Sequence, residues 1–175
     1  MENKKYVIYA TMLCVFILTY LVHLGSFALL DSDETRYADM ARDMYNSKDF
    51  ITLYLDGKIF WDKPPLYFWL ENLSFFCFGA VNELSVRMPA VLCAFSILAA
   101  VFFTVKKALT TKAAFISTLI LMTSVEFVVF SKISLLDMVL AANITIAVCS
   151  GLLTYFVREE NKKYFWWLFI FFPVL

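Results

Sequence analysis

Three groups of side chains in this 175-residue sequence are of types that do chemistry. Asp33 and Glu34 stand together just after a long uncharged run, and Asp137 lies near the start of another. Paired carboxylates suit general-base work on a hydroxyl, or the binding of a metal ion. The plainer alternatives are a helix N-cap for Asp33 and a snorkelling interfacial carboxylate for Asp137. The second group is Trp61-Asp62-Lys63-Pro64-Pro65. Two consecutive prolines remove two backbone donors and stiffen the chain, which presents Lys63 from a rigid bend. An ammonium held there, with the Arg36 guanidinium binding in a bidentate way, would clamp a phosphate. Alternatively, both cations balance neighbouring carboxylates on a wet surface. Glu126 is the third, an acid inside an apolar run that either faces the same cavity or snorkels. His23 reads as a packed imidazole, and Asn143 as an interhelical hydrogen-bonding residue.

The elements that must position these groups follow from hydropathy. The chain is 62% hydrophobic and 17% charged, against roughly 25% charged in soluble domains. Net charge is zero, so no electrostatic case for a nucleic-acid partner arises. Apolar runs at 6–30, 88–105, 113–130 and 133–157 are read as spans, and a fifth begins at 164 and runs to 175. The fifth would reach only about 18 Å, short of a hydrocarbon core of about 30 Å. The sequence therefore reads as the N-terminal part, 1–175, of a larger protein. Lys4 and Lys5, then Lys106, Lys107 and Lys112, then Arg158, Lys162 and Lys163 mark alternate ends of the spans. The positive-inside rule puts those segments and the N-terminus in the cytoplasm, and the loop 31–87 outside. The four cysteines have no metal-ligand spacing and read as small buried hydrophobes.

That external loop holds ten of the fifteen acidic residues. Tyr37, Met40, Ala41, Met44 and Tyr45 recur at helical spacing from Thr35 to Lys48, with Asp33 or Thr35 as the cap. Asp56-Gly57 predicts a turn between short extended segments. A second, aromatic-rich helix is expected from Leu66 to Gly79, too short and too polar at Glu71-Asn72 to cross a bilayer. The fold class is thus an all-α polytopic transmembrane bundle with amphipathic juxtamembrane helices in its first external loop.

Several motifs in this order resemble a known family. The stretch from Asp33 to Met44, DETRYADMARDM, is similar to the first acidic signature of the membrane glycosyltransferases that include aminoarabinose (lipid A) transferases and relatives of the protein O-mannosyltransferases. Asp56 to Leu66, DGKIFWDKPPL, is similar to that family's KPPL stretch. Phe78-Gly79, Asn82-Glu83 and Arg87-Met88-Pro89 follow, and Leu136-Asp137-Met138 resembles its second acidic motif. The resemblance implies a GT-C fold in a bacterial-type inner membrane, with an extracytoplasmic active site. It implies transfer of a sugar from a polyprenyl-phosphate donor to a lipid A, glycan or protein acceptor, usually with inversion. Asp33 would orient or deprotonate the acceptor, and Asp137 would be the second catalytic acid. Arg36 and Lys63 would hold the donor phosphate, with Glu34, Tyr37 and Glu126 in support. In some members the acid before the Lys-Pro helps bind a divalent metal; here it is Asp62, one methylene shorter. The alternative to an enzyme is a membrane scaffold that binds lipid-linked sugars without transferring them.

Overall fold

The computed structural model describes residues 14–30 and 32–156, together with 7, 10, 11 and 166. The fifth apolar run and the flanking basic residues at 4, 5, 158, 162 and 163 lie outside those residues, residue 166 apart. In order, the elements are α1 (14–21, its last five residues, Ile17–Leu21, wound as a π-helix), α2 (Asp33–Ser47), β1 (Tyr54–Leu55), β2 (Lys58–Ile59), α3 (Leu66–Phe78), α4 (Glu83–Ala108), α5 (Thr111–Thr123), α6 (Val125–Lys132) and α7 (Leu136–Phe156).

Helix α4 is the centre of the bundle and packs against α3, α5, α6 and α7. Among the described residues α4 and α7 are long and apolar enough to cross a membrane, at about 39 and 32 Å by the usual rise. One core lies between α1, α4, α5 and α7: Tyr20, Leu24, Ala90, Ala94, Met122, Met138 and Ala142. Its alanines let helix backbones approach closely. A second core, Tyr37, Met40, Ala41, Met44, Tyr67, Phe68 and Phe75, joins α2 to α3 and meets the bundle at Val86 and Val139. Of the residues at helical spacing in α2, Tyr37, Met40, Ala41 and Met44 are buried and Tyr45 is partly so, while Arg36, Asp39, Arg42 and Asp43 stay exposed. The Asp56-Gly57 turn closes a two-strand hairpin with Tyr54 opposite Ile59, both turn residues at positive φ (51° and 73°).

The span boundaries differ from those read off hydropathy, and at several of them a side chain supplies a backbone partner that the helix lacks. The first run does not stay helical to Leu30: the helix ends at Leu21, and 22–30 form turns and extended chain. The carbonyls released there, of Leu24, Phe27 and Ala28, accept from the Arg87 guanidinium at 2.9, 2.8 and 2.9 Å. The second span starts at Glu83, ahead of the apolar run, because Asn82 and Ser85 form a reciprocal capping box. Pro89 leaves the Ser85 carbonyl without its helical donor, and the Ser74 hydroxyl supplies one at 2.6 Å. The third run is two helices bent by 62° at Ser124, whose backbone is extended. The Met122 carbonyl freed by the break accepts from the Tyr20 hydroxyl at 2.7 Å. The fourth begins at Leu136, after Ile133 adopts an extended conformation. Asp33 does not cap α2; Ser32 stands at the cap and Asp33 in the first turn. Cys14 and Cys77 are exposed, and only Cys149 is buried outright.

Arg87 and Glu34 bind the two cores together. The guanidinium is fully buried, and its Nε and Nη2 donate to the Glu34 carboxylate at 2.8 and 3.1 Å. Replacing Arg87 with Met strands the carboxylate and three carbonyls, so a loss of about 3–5 kcal/mol is expected in unfolding measurements in detergent. Adding Glu34→Leu removes the stranded charge and should recover part of that loss. A deficit under about 1 kcal/mol for Arg87→Met would show that the pair carries little of the fold.

Candidate functional site

Three of the sequence-derived acidic candidates stand exposed in the first turns of helices: Asp33 on α2, Glu126 on α6 and Asp137 on α7. Carboxylates are favoured there by the helix dipole and the free N–H groups. Glu34 ties two of these termini together, since its Oε1 accepts from the Ser134 N–H, two residues before α7, at 2.9 Å. Asp33 is the neighbour of one partner in that bond, and Asp137 lies three residues from the other.

The sequence-derived candidates distribute as follows. Asp33 pairs with Arg36 at 3.3 Å, both half-exposed, so Arg36 sits with the catalytic candidate. Asp137 and Glu126 line a cavity of about 510 Å³ with Leu121, Ser124, Phe127 and Met138. Lys63 and Asp62 line another, of about 410 Å³, whose walls include Tyr67, Leu140, Asn143 and Ile144. Asp33 and Arg36 line neither, so the expected grouping of Asp33 with Asp137, and of Arg36 with Lys63, in one pocket is not what these cavities have. Tyr37 is buried, its ring edge-on to Tyr67 and Phe68 at 5.8 and 6.1 Å. Glu34 is only 1% exposed, held by the Arg87 guanidinium and the Ser134 N–H, and lines neither cavity. Asn143 makes no interhelical hydrogen bond to the described residues and faces the Lys63 cavity instead.

A divalent metal at Asp62 would need further oxygen or nitrogen ligands. The cavity lining offers no second carboxylate and places an ammonium beside the first. Among the described residues no group of three or more His, Cys, Asp or Glu is placed to share an ion. This donor set does not fit a metal ion.

Sequence reasoning missed a buried polar chain behind the site. Glu71 Oε1 receives contacts from the Tyr67 hydroxyl and the Ser134 hydroxyl, each at 2.9 Å, and those hydroxyls are 2.7 Å apart. The Ser134 hydroxyl also reaches the Val86 carbonyl at 2.7 Å. Only the Glu71-Asn72 break in an aromatic helix hinted at it. The two buried acids titrate in opposite directions. For Glu34, burial favours the neutral form, but hydrogen bonds from Arg87, Ser134 and Leu30 outweigh it and lower its pKa. For Glu71, burial dominates and the Glu34 charge adds to it, against the two hydroxyls, so its pKa is pushed up to about 8. Glu71 therefore keeps its proton at neutral pH.

Comparison with known proteins places these features in a family. Residues 5–174 match the family described as dolichyl-phosphate-mannose-protein mannosyltransferase. An undecaprenyl phosphate-alpha-4-amino-4-deoxy-L-arabinose arabinosyl transferase of Edwardsiella ictaluri is 32% identical over 148 residues, 84% of this chain and 27% of that protein. A protein of the same name from Photorhabdus laumondii is 39% identical over 80 residues, 46% of this chain and 14% of its own. The chain thus spans about a quarter, or less, of the length of these relatives. Crystal structures of ArnT from Cupriavidus metallidurans, in the apo state and bound to undecaprenyl phosphate, superpose with a TM-score of 0.85 at 20% identity. They cover 96% and 97% of this chain, which matches 31% of each of theirs. The fold is the GT-C helical bundle.

Glu71 makes stability depend on pH with a definite sign. Unfolding lets it ionise near its ordinary value of 4.5, whereas the folded protein holds the proton to about 8. Stability should therefore fall as pH rises from about 4.5 to about 8 and then level off. Glu34 acts oppositely, losing its contribution as pH falls through its lowered pKa. Glu71→Gln stays neutral throughout and should flatten the decline. A wild-type unfolding curve already flat across that window would contradict the assignment.

Proposed function

Because the chain belongs to the dolichyl-phosphate-mannose-protein mannosyltransferase family, we propose that it is the N-terminal portion of a glycosyltransferase. In this reading it moves a sugar from a polyprenyl-phosphate donor to an acceptor hydroxyl on a lipid, glycan or protein. It works at the extracytoplasmic face of an inner membrane, with the N-terminus in the cytoplasm and the loop 31–87 outside. The observation that carries the reading is the Glu34–Ser134 hydrogen bond, which holds the start of α2, bearing Asp33 and Arg36, beside the approach to α7, bearing Asp137.

Asp33 accepts the acceptor's proton as the acceptor oxygen attacks the anomeric carbon. The bond from that carbon to the phosphate oxygen breaks, and its electron pair leaves with the polyprenyl phosphate. Lys63, with no carboxylate paired to it among the described residues, offsets the charge that develops there, while Arg36 lies outside that cavity and pairs with Asp33. The relatives' names specify an undecaprenyl-phosphate-linked 4-amino sugar. An amino sugar suits the acidic cavity, where Glu126 and Asp137 face an open space whose lining carries no cation.

With the full chain in nanodiscs and a radiolabelled polyprenyl-phosphate sugar, Asp33→Asn should cut transfer by about 10²–10³-fold while donor binding is kept. Unchanged turnover would eliminate Asp33 as the base. Donor binding without any transfer by the wild type would favour the scaffold. Orientation is checked separately by Lys58→Cys, on the exposed hairpin, in a Cys77→Ser background. An impermeant thiol reagent applied from the extracytoplasmic side should label it, and labelling only from the cytoplasmic side would invert the topology.

A further inference from the structure

The cavity beside Lys63 contains a polar group to which the chemistry above gives no task. Asn143 lies on α7 about two turns beyond Leu136 and lines that cavity. No hydrogen bond joins its amide to another described residue. Asn72 shows the contrast: buried on α3, it donates to the Ala41 and Phe68 carbonyls at 3.1 and 2.9 Å. An amide in a spanning helix ordinarily finds a partner on a neighbouring helix. The Asn143 amide opens onto the cavity instead.

The rest of the lining narrows what that amide can meet. Lys63 contributes an ammonium that makes no ion pair with a described residue. The Tyr67 hydroxyl is turned inward to Glu71 and Ser134 and cannot donate into the cavity. Asp62 is the sole lining anion, and the remaining walls are Pro64, Leu66, Leu136, Val139, Leu140 and Ile144. Against that one anion stand a cation, a neutral donor and aliphatic walls, and these three together suit a phosphate that carries a hydrocarbon tail. Inorganic phosphate would satisfy the donors and leave the walls wet.

We infer that the Asn143 side-chain amide donates a hydrogen bond to the phosphate of the lipid-linked donor, sharing that phosphate with the Lys63 ammonium. The inference rests on the reading of this cavity as the donor site. The two groups divide the work: the ammonium supplies charge without direction, and the planar amide supplies direction without charge.

The test compares farnesyl phosphate, farnesol and inorganic phosphate as probes for the full chain in nanodiscs. Asn143→Leu adds no polar group to the span and should insert normally. It should weaken farnesyl phosphate about tenfold, the scale of a hydrogen bond to a charged group, and leave farnesol unchanged. Asn143→Asp, near-isosteric and anionic, should weaken farnesyl phosphate further, and Asn143→Gln should restore part of the binding. Equal weakening of farnesyl phosphate and farnesol by Asn143→Leu would overturn the inference, because the side chain would then only shape the cavity. Inorganic phosphate binding as tightly as farnesyl phosphate would overturn the lipid part of it. If Lys63→Ala weakens farnesyl phosphate but Asn143→Leu does not, Asn143 is excluded and the donor site stands. If neither variant matters, the reading of the cavity itself fails.

Discussion

Everything near the site depends on one buried charge pair in which no hydrogen-bonding position is left over. Arg87 has five N–H donors, and the structure uses them all: two on Glu34 and one each on the Leu24, Phe27 and Ala28 carbonyls. Glu34 fills both oxygens in turn, with Arg87 and Ser134 on Oε1, and Arg87 and Leu30 on Oε2. The Phe27 ring covers the guanidinium face at 3.7 Å. Burying two ions costs several kcal/mol each, and a pair of this kind survives only when geometry and hydrogen bonding are complete. Completeness here has a topological consequence. One guanidinium ends α1, turns the chain back and holds the start of α2, while one carboxylate reaches across to the chain entering α7. Bond lengths, rather than loop preferences, set how the acidic helix termini sit.

The charge state of the neighbouring acid follows from the same pair. Glu71 shares Ser134 with Glu34, one through the hydroxyl and the other through the backbone N–H. A second buried anion there would have no guanidinium of its own, because Arg87 is used up. Glu71 resolves the conflict by keeping its proton, the expected response of a carboxyl that cannot be both buried and paired. A neutral acid still accepts from two hydroxyls, so Tyr67 remains locked with its ring on the wall of the Lys63 cavity. The chain Arg87–Glu34–Ser134–Glu71–Tyr67 is thus a continuous polar strut between the first helix and the proposed donor cavity.

How much of this the sequence disclosed depended on whether the cause was local. The α2 face was legible because Tyr37, Met40, Ala41 and Met44 obey a 3.6-residue period. The hairpin was legible because Asp56-Gly57 tolerates positive φ in succession. The external loop stood out because its charges have no place in a bilayer core. The span ends were not legible, since hydropathy counts Arg87 as a cost and cannot know that its donors are all engaged. Nor does anything local announce the break at Ser124, whose released carbonyl is satisfied by a tyrosine 102 residues earlier. The site was partly legible. Residue type drew attention to Asp33, Lys63 and Asp137, but it paired Glu34 with Asp33 at the site, whereas Glu34 is buried against a residue 53 positions away. Asn143 was misread because a polar residue in a span usually seeks another helix.

Helix α7 then gives the proposed chemistry its spatial logic. Asp137, Met138 and Ala141 line the acidic cavity, whereas Leu136, Val139, Leu140, Asn143 and Ile144 line the cationic one. These sets fall on two sides of a single helix, as a period of 3.6 requires. The Glu126 and Asp137 carboxylates are therefore held off from the Lys63 ammonium, which shares its own cavity with the single carboxylate of Asp62. Both sets nevertheless converge at the first turn, where Leu136 and Asp137 are adjacent. A donor phosphate on one side and a hydroxyl or amino group on the other can meet only around that turn. The same turn is tied to α2, and so to Asp33, by Ser134. In the proposed chemistry a single anchored helix end thus carries both cavities on separate sides and is tied to the helix that bears Asp33.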